Sequence, residues 1–346
     1  MRAVVLSRGQ VLVREDVPEP EPGEGQVLVR VRACGICGSD LHFAKHGADM
    51  LKFAAEVDGF GPGGAGEDID LERDVYMGHE FVAEVLAAGP RTDTFKPGTL
   101  VTSVPLLTTA TGLRPIVYSN ELLGGFGEQM LLTAELLHAV PNGLAPELAA
   151  LTEPMAVGLH AVNRSGIKAG EAALVIGCGP VGLAIIAALA RRAAGPIVAA
   201  EFSPSRRLLA HAMGAHEVVD PRAEALWDGS GAVRKVRPAV IFEAVGVPGA
   251  INEIMRSTPP GSRIVVAGAC MEPDVVRPMF GVSKELEIRF STAYDDVEFA
   301  ACLEAIADGE IDVTPLLTGE TGLDGVPAAF GALADPEAHC KVMVRP

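Results

Sequence analysis

The chain places a thiol, a hydroxyl, a carboxylate and an imidazole within six residues, Cys37-Gly38-Ser39-Asp40-Leu41-His42, and follows them with Gly78-His79-Glu80. A soft sulfur, a ring nitrogen and hard carboxylate oxygens are a donor mixture that zinc accepts. A catalytic zinc needs three protein donors and one open position. Glu153, immediately before Pro154, is the expected third donor beside Cys37 and His79. Ser39 and His42 offer a second chemistry, a hydroxyl that takes a proton and an imidazole that titrates near neutrality and passes it to solvent. Asp40 is expected to orient His79 through its second ring nitrogen. A buried cysteine is usually a small apolar packing residue, but that reading leaves Asp40, His42, His79, Glu80 and Glu153 unexplained. Cys34 forms a C-x-x-C with Cys37, yet no second such pair completes a zinc knuckle and no βαβ unit begins there. Cys34 is read as a packing residue, and the isolated Cys178, Cys270, Cys302 and Cys340 as structural.

A second constellation lies further along. Gly177-Cys178-Gly179-Pro180-Val181-Gly182 follows the apolar run 172–176 and opens the helix-forming stretch 183–192. In that strand–turn–helix context the glycines permit a tight turn, close approach of a pyrophosphate, and close helix–strand packing. The helix start adds unpaired N–H groups for the phosphates. Glu201 stands 24 positions after Gly177, at the end of the apolar run 197–200. A carboxylate there accepts ribose hydroxyls and repels a 2′-phosphate, which favours NAD over NADP. Arg206 and Arg207 either reach a phosphate or sit on the exposed side of the next helix. The cofactor contacts are therefore assigned to Gly177, Gly179, Pro180, Val181, Gly182, Glu201 and Arg206, with Val245 and Gly268 from later loops.

The elements that must position these residues change character along the chain. Up to about 154, short runs such as 27–32 and 81–86 are separated by Pro/Gly punctuation, which predicts a β-rich barrel or sandwich domain. Beyond it, apolar runs at 172–176, 197–200, 218–219, 239–242, 264–267 and 286–290 alternate with helical stretches, the pattern of a parallel, doubly wound sheet. The fold expected is α/β, with a β-rich domain over 1–154 completed by 292–346 and a dinucleotide-binding Rossmann domain over 155–291. No internal repeat is found. The segment from Gly47 to Val75 holds Gly59-Phe60-Gly61-Pro62-Gly63-Gly64-Ala65-Gly66 and then an acidic run. It is expected to be a mobile loop, either a solvated excursion or a lid beside the site.

Bulk properties limit the partners. A chain of 346 residues has room for two domains. Its net charge of −17 repels phosphate backbones, so nucleic acid is not expected. Six scattered cysteines do not form a disulfide framework, no apolar run spans a bilayer, and the first residues lack a signal-peptide core. A cytoplasmic protein with a small-molecule partner and no membrane contact is expected.

With Gly124-Gly125-Phe126-Gly127-Glu128, Glu153-Pro154-Met155-Ala156-Val157 and Phe242-Glu243-Ala244-Val245-Gly246 added in order to the motifs above, the sequence resembles the zinc-dependent medium-chain dehydrogenase/reductase superfamily over essentially its whole length. The resemblance implies a GroES-like catalytic domain beside the Rossmann domain. Glutamate at 153, where liver-type alcohol dehydrogenases have cysteine, is similar to the sorbitol, threonine and butanediol dehydrogenase branch. That branch implies Cys37, His79 and the carboxylates Glu80 and Glu153 around the zinc, some through water, with Ser39, His42 and Glu80 serving the chemistry. It also implies reversible hydride transfer between an alcohol, secondary or polyol-like, and NAD, in a homodimer or homotetramer. Two departures stand out. Residues 88–115, where the family's structural zinc loop belongs, contain no cysteine, so one catalytic zinc and no structural zinc is expected. Cys37 and His79 are 42 positions apart, longer than usual, and the 47–75 segment accounts for the excess. The competing readings are a zinc-free quinone or enoyl reductase on the same fold and a non-catalytic NAD-binding protein.

Overall fold

The computed structural model describes residues 1–57, 69–223, 226–227 and 232–346. The chain divides into two units. The first holds Met1–Glu153, Leu303–Asp308 and Leu317–Pro346, and the second holds Pro154–Cys302 and Gly309–Leu316. Past Cys302 the chain rejoins the first unit over Leu303–Asp308 and again from Leu317.

The first unit is built from short antiparallel strands. They are β1 (Ala3–Ser7), β2 (Gln10–Arg14), β3 (Gln26–Gly35), β4 (Val75–Tyr76), β5 (Glu80–Ala88), β6 (Leu100–Ser103), β7 (Leu106–Thr109), β8 (Gly112–Pro115), β9 (Gln129–Thr133) and β10 (Leu137–Ala139). Two more come from the far end of the chain, β17 (Leu317–Thr321) and β18 (Lys341–Val344). The main sheet runs β10-β6-β5-β3-β18-β17, with β9 also on β3. In β3 the residues Val27, Val29, Val31 and Ala33 are buried while Arg30 and Arg32 are exposed, the period-two alternation of a strand with one face in the core. Residues 106–115, at the end of the cysteine-free stretch, form the β7–β8 hairpin. The core gathers Val27, Val29, Phe81, Val85, Met130 and Leu132 with Phe126, Leu323 and Phe330.

Helix α1 (Gly38–Glu56) corrects the expectation of a loop starting at Gly47. It bends at His46 and continues, because Met50 and Leu51 offer an apolar side to the core and Ile69 and Leu71 pack beside them on the way back. Asn120 binds the backbone of Asp70 and Asp74, and Arg14 pairs with Asp74, so the returning leg is tied down. The glycine stretch 59–66 and the start of the acidic run lie outside the described residues. A short helix, α2 (Pro146–Ala149), precedes the second unit.

The second unit is the doubly wound domain that the alternating pattern predicts. Helix α3 (Thr152–Ser165) leads to β11 (Ala173–Ile176), α4 (Pro180–Arg191), β12 (Ile197–Ala200), α5 (Pro204–Ala212), β13 (Glu217–Val219) and α6 (Ala232–Val236). Then come β14 (Val240–Glu243), α7 (Ala250–Ser257), β15 (Arg263–Val266), α8 (Pro278–Lys284), β16 (Glu287–Phe290) and α9 (Asp296–Ala307). The sheet is parallel, in the order β13-β12-β11-β14-β15-β16, so the order reverses direction beside β11. Its central strands are buried on both faces, as continuous apolar runs require when helices cover both sides. A last helix, α10 (Val326–Ala332), belongs to the first unit. Among the described residues no helix is long and apolar enough to cross a membrane.

Candidate active site

Three neighbouring strands bring the metal candidates of the first unit together. The register pairs Gly35 of β3 with Glu80 of β5 on one side and with Met343 of β18 on the other. Cys37 leaves β3 where His79 enters β5, so residues 42 positions apart emerge at one end of the ladder. His79 is held there by two glycine motifs docked on each other. Gly125 N–H donates to Gly78 C=O at 2.7 Å and Phe126 N–H to Met77 C=O at 3.3 Å. Gly78 has φ +97, and a Cβ on it would stand 2.7 Å from the Phe126 nitrogen, so only glycine fits before His79.

Cys37 also caps α1, and this fixes the residues behind it. Asp40, in the first turn, is fully buried and accepts a hydrogen bond from Cys37 N–H at 3.0 Å through Oδ2. Its Oδ1 faces His79 Nδ1 at 3.6 Å, an ion-pair separation longer than a hydrogen bond, and neither atom has another partner. The other ring nitrogen, Nε2, lies 3.4 Å from Ser39 Oγ. Asp40 thus stands on the Nδ1 side of His79 and Ser39 on the Nε2 side.

The electrostatics favour a positive charge here. Burial works to lower the His79 pKa, but Asp40, Cys37 (which also hydrogen-bonds the ring) and Glu153 more than offset it, and it is raised well above its ordinary value. Burial is also the main cause that raises Asp40 to about 6. The raised value reflects the acidic groups gathered around the ring, and the sulfur, nitrogen and carboxylate donor types are those zinc accepts. Cys37 and Glu153 both act electrostatically on His79, but among the described residues no group of three such side chains is placed to hold a metal ion.

Glu80 is placed differently from the ligand expectation. Both of its oxygens accept from Lys341 Nζ, at 2.6 and 2.8 Å, in a fully buried pair. The reason is the strand alternation: Glu80 follows His79 directly, so its side chain departs on the other side of β5. Cys34 is buried and its thiol pushed well up by burial, in keeping with a packing role. His42 is exposed on α1, and among the described residues no hydrogen bond joins it to Ser39.

Tyr118 escaped the motif reading. Its ring stacks on Phe43 at 3.9 Å and meets the edge of His79 at 6.4 Å. Its hydroxyl is buried without a well-formed hydrogen bond, and burial with the nearby charge of Asp40 raises its pKa well above the ordinary value while Ser39 works the other way. No spacing rule links a lone tyrosine to residues 39 and 79, so only the packing reveals it.

The second unit forms its site from backbone. Gly179 caps α4, Pro180 occupies its first turn, and the N–H groups of that turn are available to an anion. A Cβ on Gly182 would overlap the carbonyl oxygen of Gly177, which is the physical demand behind the third glycine. Glu201 is folded under this loop. Its Oε2 accepts from Cys178 N–H at 2.7 Å and its Oε1 from Ser203 N–H at 2.9 Å, so one carboxylate ties the end of β12 to the glycine turn. Glu243 does the same one strand over, with Oε1 accepting from Val245 and Gly246 N–H at 2.8 Å each. Its other oxygen occupies the space where a Gly268 side chain would stand.

Arg206 and Arg207 are not both on an exposed face. Arg207 is engaged by Asp220 and by the carbonyls of Glu201 and Phe202. Arg206 turns toward Gly179, with its Nε buried and unpartnered.

Fold and site together define a two-domain, metal-assisted dehydrogenase. The chain belongs to the zinc-binding alcohol dehydrogenases: residues 23–142 match the alcohol dehydrogenase GroES-like domain and residues 180–308 the zinc-binding dehydrogenase domain. It is 34% identical to an (R,R)-butanediol dehydrogenase of Bacillus subtilis, with 96% of each chain covered. It is 27% identical to a sorbitol dehydrogenase of the same species, covering 100% of this chain and 97% of that one. A solved protein from Sinorhizobium meliloti 1021, described as a zinc-binding dehydrogenase and bound to NADP, superposes with a TM-score of 0.82 at 28% identity, covering 100% and 99% of the two chains. The protein is therefore an oxidoreductase of the alcohol dehydrogenase type that works with zinc and a nicotinamide dinucleotide.

Proposed function

We propose that the protein oxidises a secondary or polyol-like alcohol with NAD, reversibly, at one zinc per chain held by Cys37, His79 and Glu153. The observation that carries this reading is the Cys37–His79 pair, backed by buried Asp40 and reached by the charge of Glu153. Zinc, if held there, would supply Lewis acidity toward the substrate alcohol, and a nicotinamide dinucleotide in the second unit would supply the hydride acceptor. The chain's own groups do the rest. Asp40 balances the positive charge behind His79 Nδ1. Ser39 Oγ, beside His79 Nε2, accepts the substrate proton as its own passes on toward solvent, and His42, exposed on α1 and not hydrogen-bonded to Ser39, is the nearby imidazole that would release it to water. Tyr118 covers one side of the pair and keeps water from it. Glu80 serves as an anchor bonded to Lys341 rather than as a direct donor.

NAD is favoured because the Glu201 carboxylate stands at the end of β12, and each oxygen that already accepts one N–H has capacity for a ribose hydroxyl. Arg206 lies by the glycine turn, where it suits the phosphates that both dinucleotides carry. The names of the butanediol and sorbitol relatives support a vicinal diol or polyol as substrate. The outer edge of β16, with exposed Met279, Val282 and Phe290 near it, supports association with a second copy.

The test is NADH formation across a panel of primary, secondary, polyol and aromatic alcohols, with and without a chelator, alongside metal analysis. Diol-dependent activity that is lost on chelation, with one zinc per chain, is expected. Two zincs per chain, or activity that survives metal removal, contradicts the reading. Glu201→Ala is expected to lower the preference for NAD over NADP roughly tenfold, from the loss of one or two hydrogen bonds.

A further inference from the structure

Lys341 is the most completely buried cation among the described residues, and its partners are the immediate neighbours of the metal candidates. It begins β18, next to β3. Its ammonium donates to the carbonyl oxygen of Ile36 at 3.1 Å and to Oε1 and Oε2 of Glu80 at 2.6 and 2.8 Å. These three contacts match the three protons an ammonium can offer. Ile36 is the residue before Cys37, and Glu80 is the residue after His79. The Cys37 sulfur is also near enough for its charge to act on the ammonium.

A buried ion pair is a weak device for stability alone, because apolar side chains of similar size pack there as well or better. What an ammonium offers that an apolar group does not is direction. It holds a main-chain carbonyl of one segment and a carboxylate of another at fixed distances from a single atom. Glu80 also fills the space that a side chain at Gly35 would need, so the pair is built into the backbone of β3 as well. The C-terminal strand thus reaches across 305 positions of sequence to the segment that carries Cys37.

We infer that Lys341 is a positioning residue for the metal-binding pair, setting the separation of Cys37 and His79 by holding the Ile36 carbonyl and the Glu80 carboxylate on one ammonium. This rests on the reading of Cys37 and His79 as zinc donors and adds a residue that none of the sequence motifs contains.

The experiment compares the holoenzyme with its Lys341→Met and Lys341→Arg variants, following zinc transfer to a chelator, the thiolate-to-cobalt absorption of the cobalt-substituted forms, and thermal stability. Loss of an outer partner of a metal site lowers metal affinity about 10–100-fold. Lys341→Met is expected to lose zinc to correspondingly less chelator and to shift the cobalt absorption, and Lys341→Arg, which keeps the cation, to recover most of both. If Lys341→Met fails to fold, Lys341→Met combined with Glu80→Gln leaves no buried charge unpaired and carries the same comparison. A variant that melts earlier but keeps the parent's cobalt spectrum and zinc affinity shows Lys341 to be structural only and overturns the inference. A parent protein that binds no stoichiometric zinc overturns the metal reading itself, a result seen before any variant is made.

Discussion

The two candidate sites, one in each unit, are built on opposite principles. In the second unit the cofactor loop is nearly continuous in sequence, and its working parts are backbone: the N–H groups at the start of α4, a turn, and a glycine that nothing larger can replace. In the first unit the candidate metal site is dispersed. Residues 37, 40, 79 and 118 are brought together by strand register, helix capping and ring packing, over a buried pair formed by residues 80 and 341. Backbone sites tolerate surface change and punish added volume. Charge-built sites tolerate volume better than they tolerate the loss of one partner, because a buried charge left alone is costly.

The largest effect expected on this comparison comes from His79→Ala. Several kcal/mol of Lewis-acid stabilisation corresponds to a loss on the order of a thousandfold in kcat/KM. Zinc content should fall with activity while affinity for NAD, measured by fluorescence titration, stays close to that of the parent. A parallel loss of NAD binding would mean that the two halves are not independently built.

Gly182→Val tests the other half. The added side chain meets the Gly177 carbonyl, and backbone strain of one to three kcal/mol corresponds to roughly a tenfold or greater rise in KM for NAD. Zinc per chain should not change. If zinc is lost as well, the contrast between a volume-limited and a charge-limited site fails.

The smallest effect sharpens the contrast between a buried pair and a surface one. Arg14 donates two hydrogen bonds to Asp74, at 2.7 and 3.0 Å, and holds its carboxyl below the usual range, chiefly through the side-chain hydrogen bond. Both groups are about a third exposed, so the pair is worth at most ~1 kcal/mol after screening. Its sign follows from the lowered pKa: the contribution is complete above the ordinary aspartate value of 3.8 and disappears as pH falls through the lower folded value. Asp74→Asn should therefore lower Tm slightly at pH 7, with the difference closing once acid protonates the Asp74 carboxyl. A large drop at neutral pH would show that tying down the leg that returns from α1 matters more than the charge pair.

The same contrast explains which features were legible in the sequence. Gly177, Gly179 and Gly182 announce themselves because backbone geometry leaves a composition signature at fixed spacing, and Glu201 follows because a strand end has a predictable place. Even so, the use of Glu201 and Glu243 to hold their own loops needed coordinates. The assignments of Cys37, His79 and Asp40 rested on residue chemistry, and strand register is what brought them together. The loop expected from Gly47 onward was misread because Met50 and Leu51 find a core to pack on, and helix ends are set by such contacts more than by a nearby glycine.

What the sequence determined by itself is the pair of folds, the cofactor class and the donor types, since hydrophobic period, glycine spacing and donor chemistry are local properties. What only the tertiary structure shows is that one of the candidate carboxylates, Glu80, is paired with a distant lysine. Glu80 looks like a ligand by position, but Lys341, far away in the chain, occupies both of its oxygens. The reason is physical: a buried charge takes whichever partner the fold brings within three ångströms, and no spacing in the sequence records that distance.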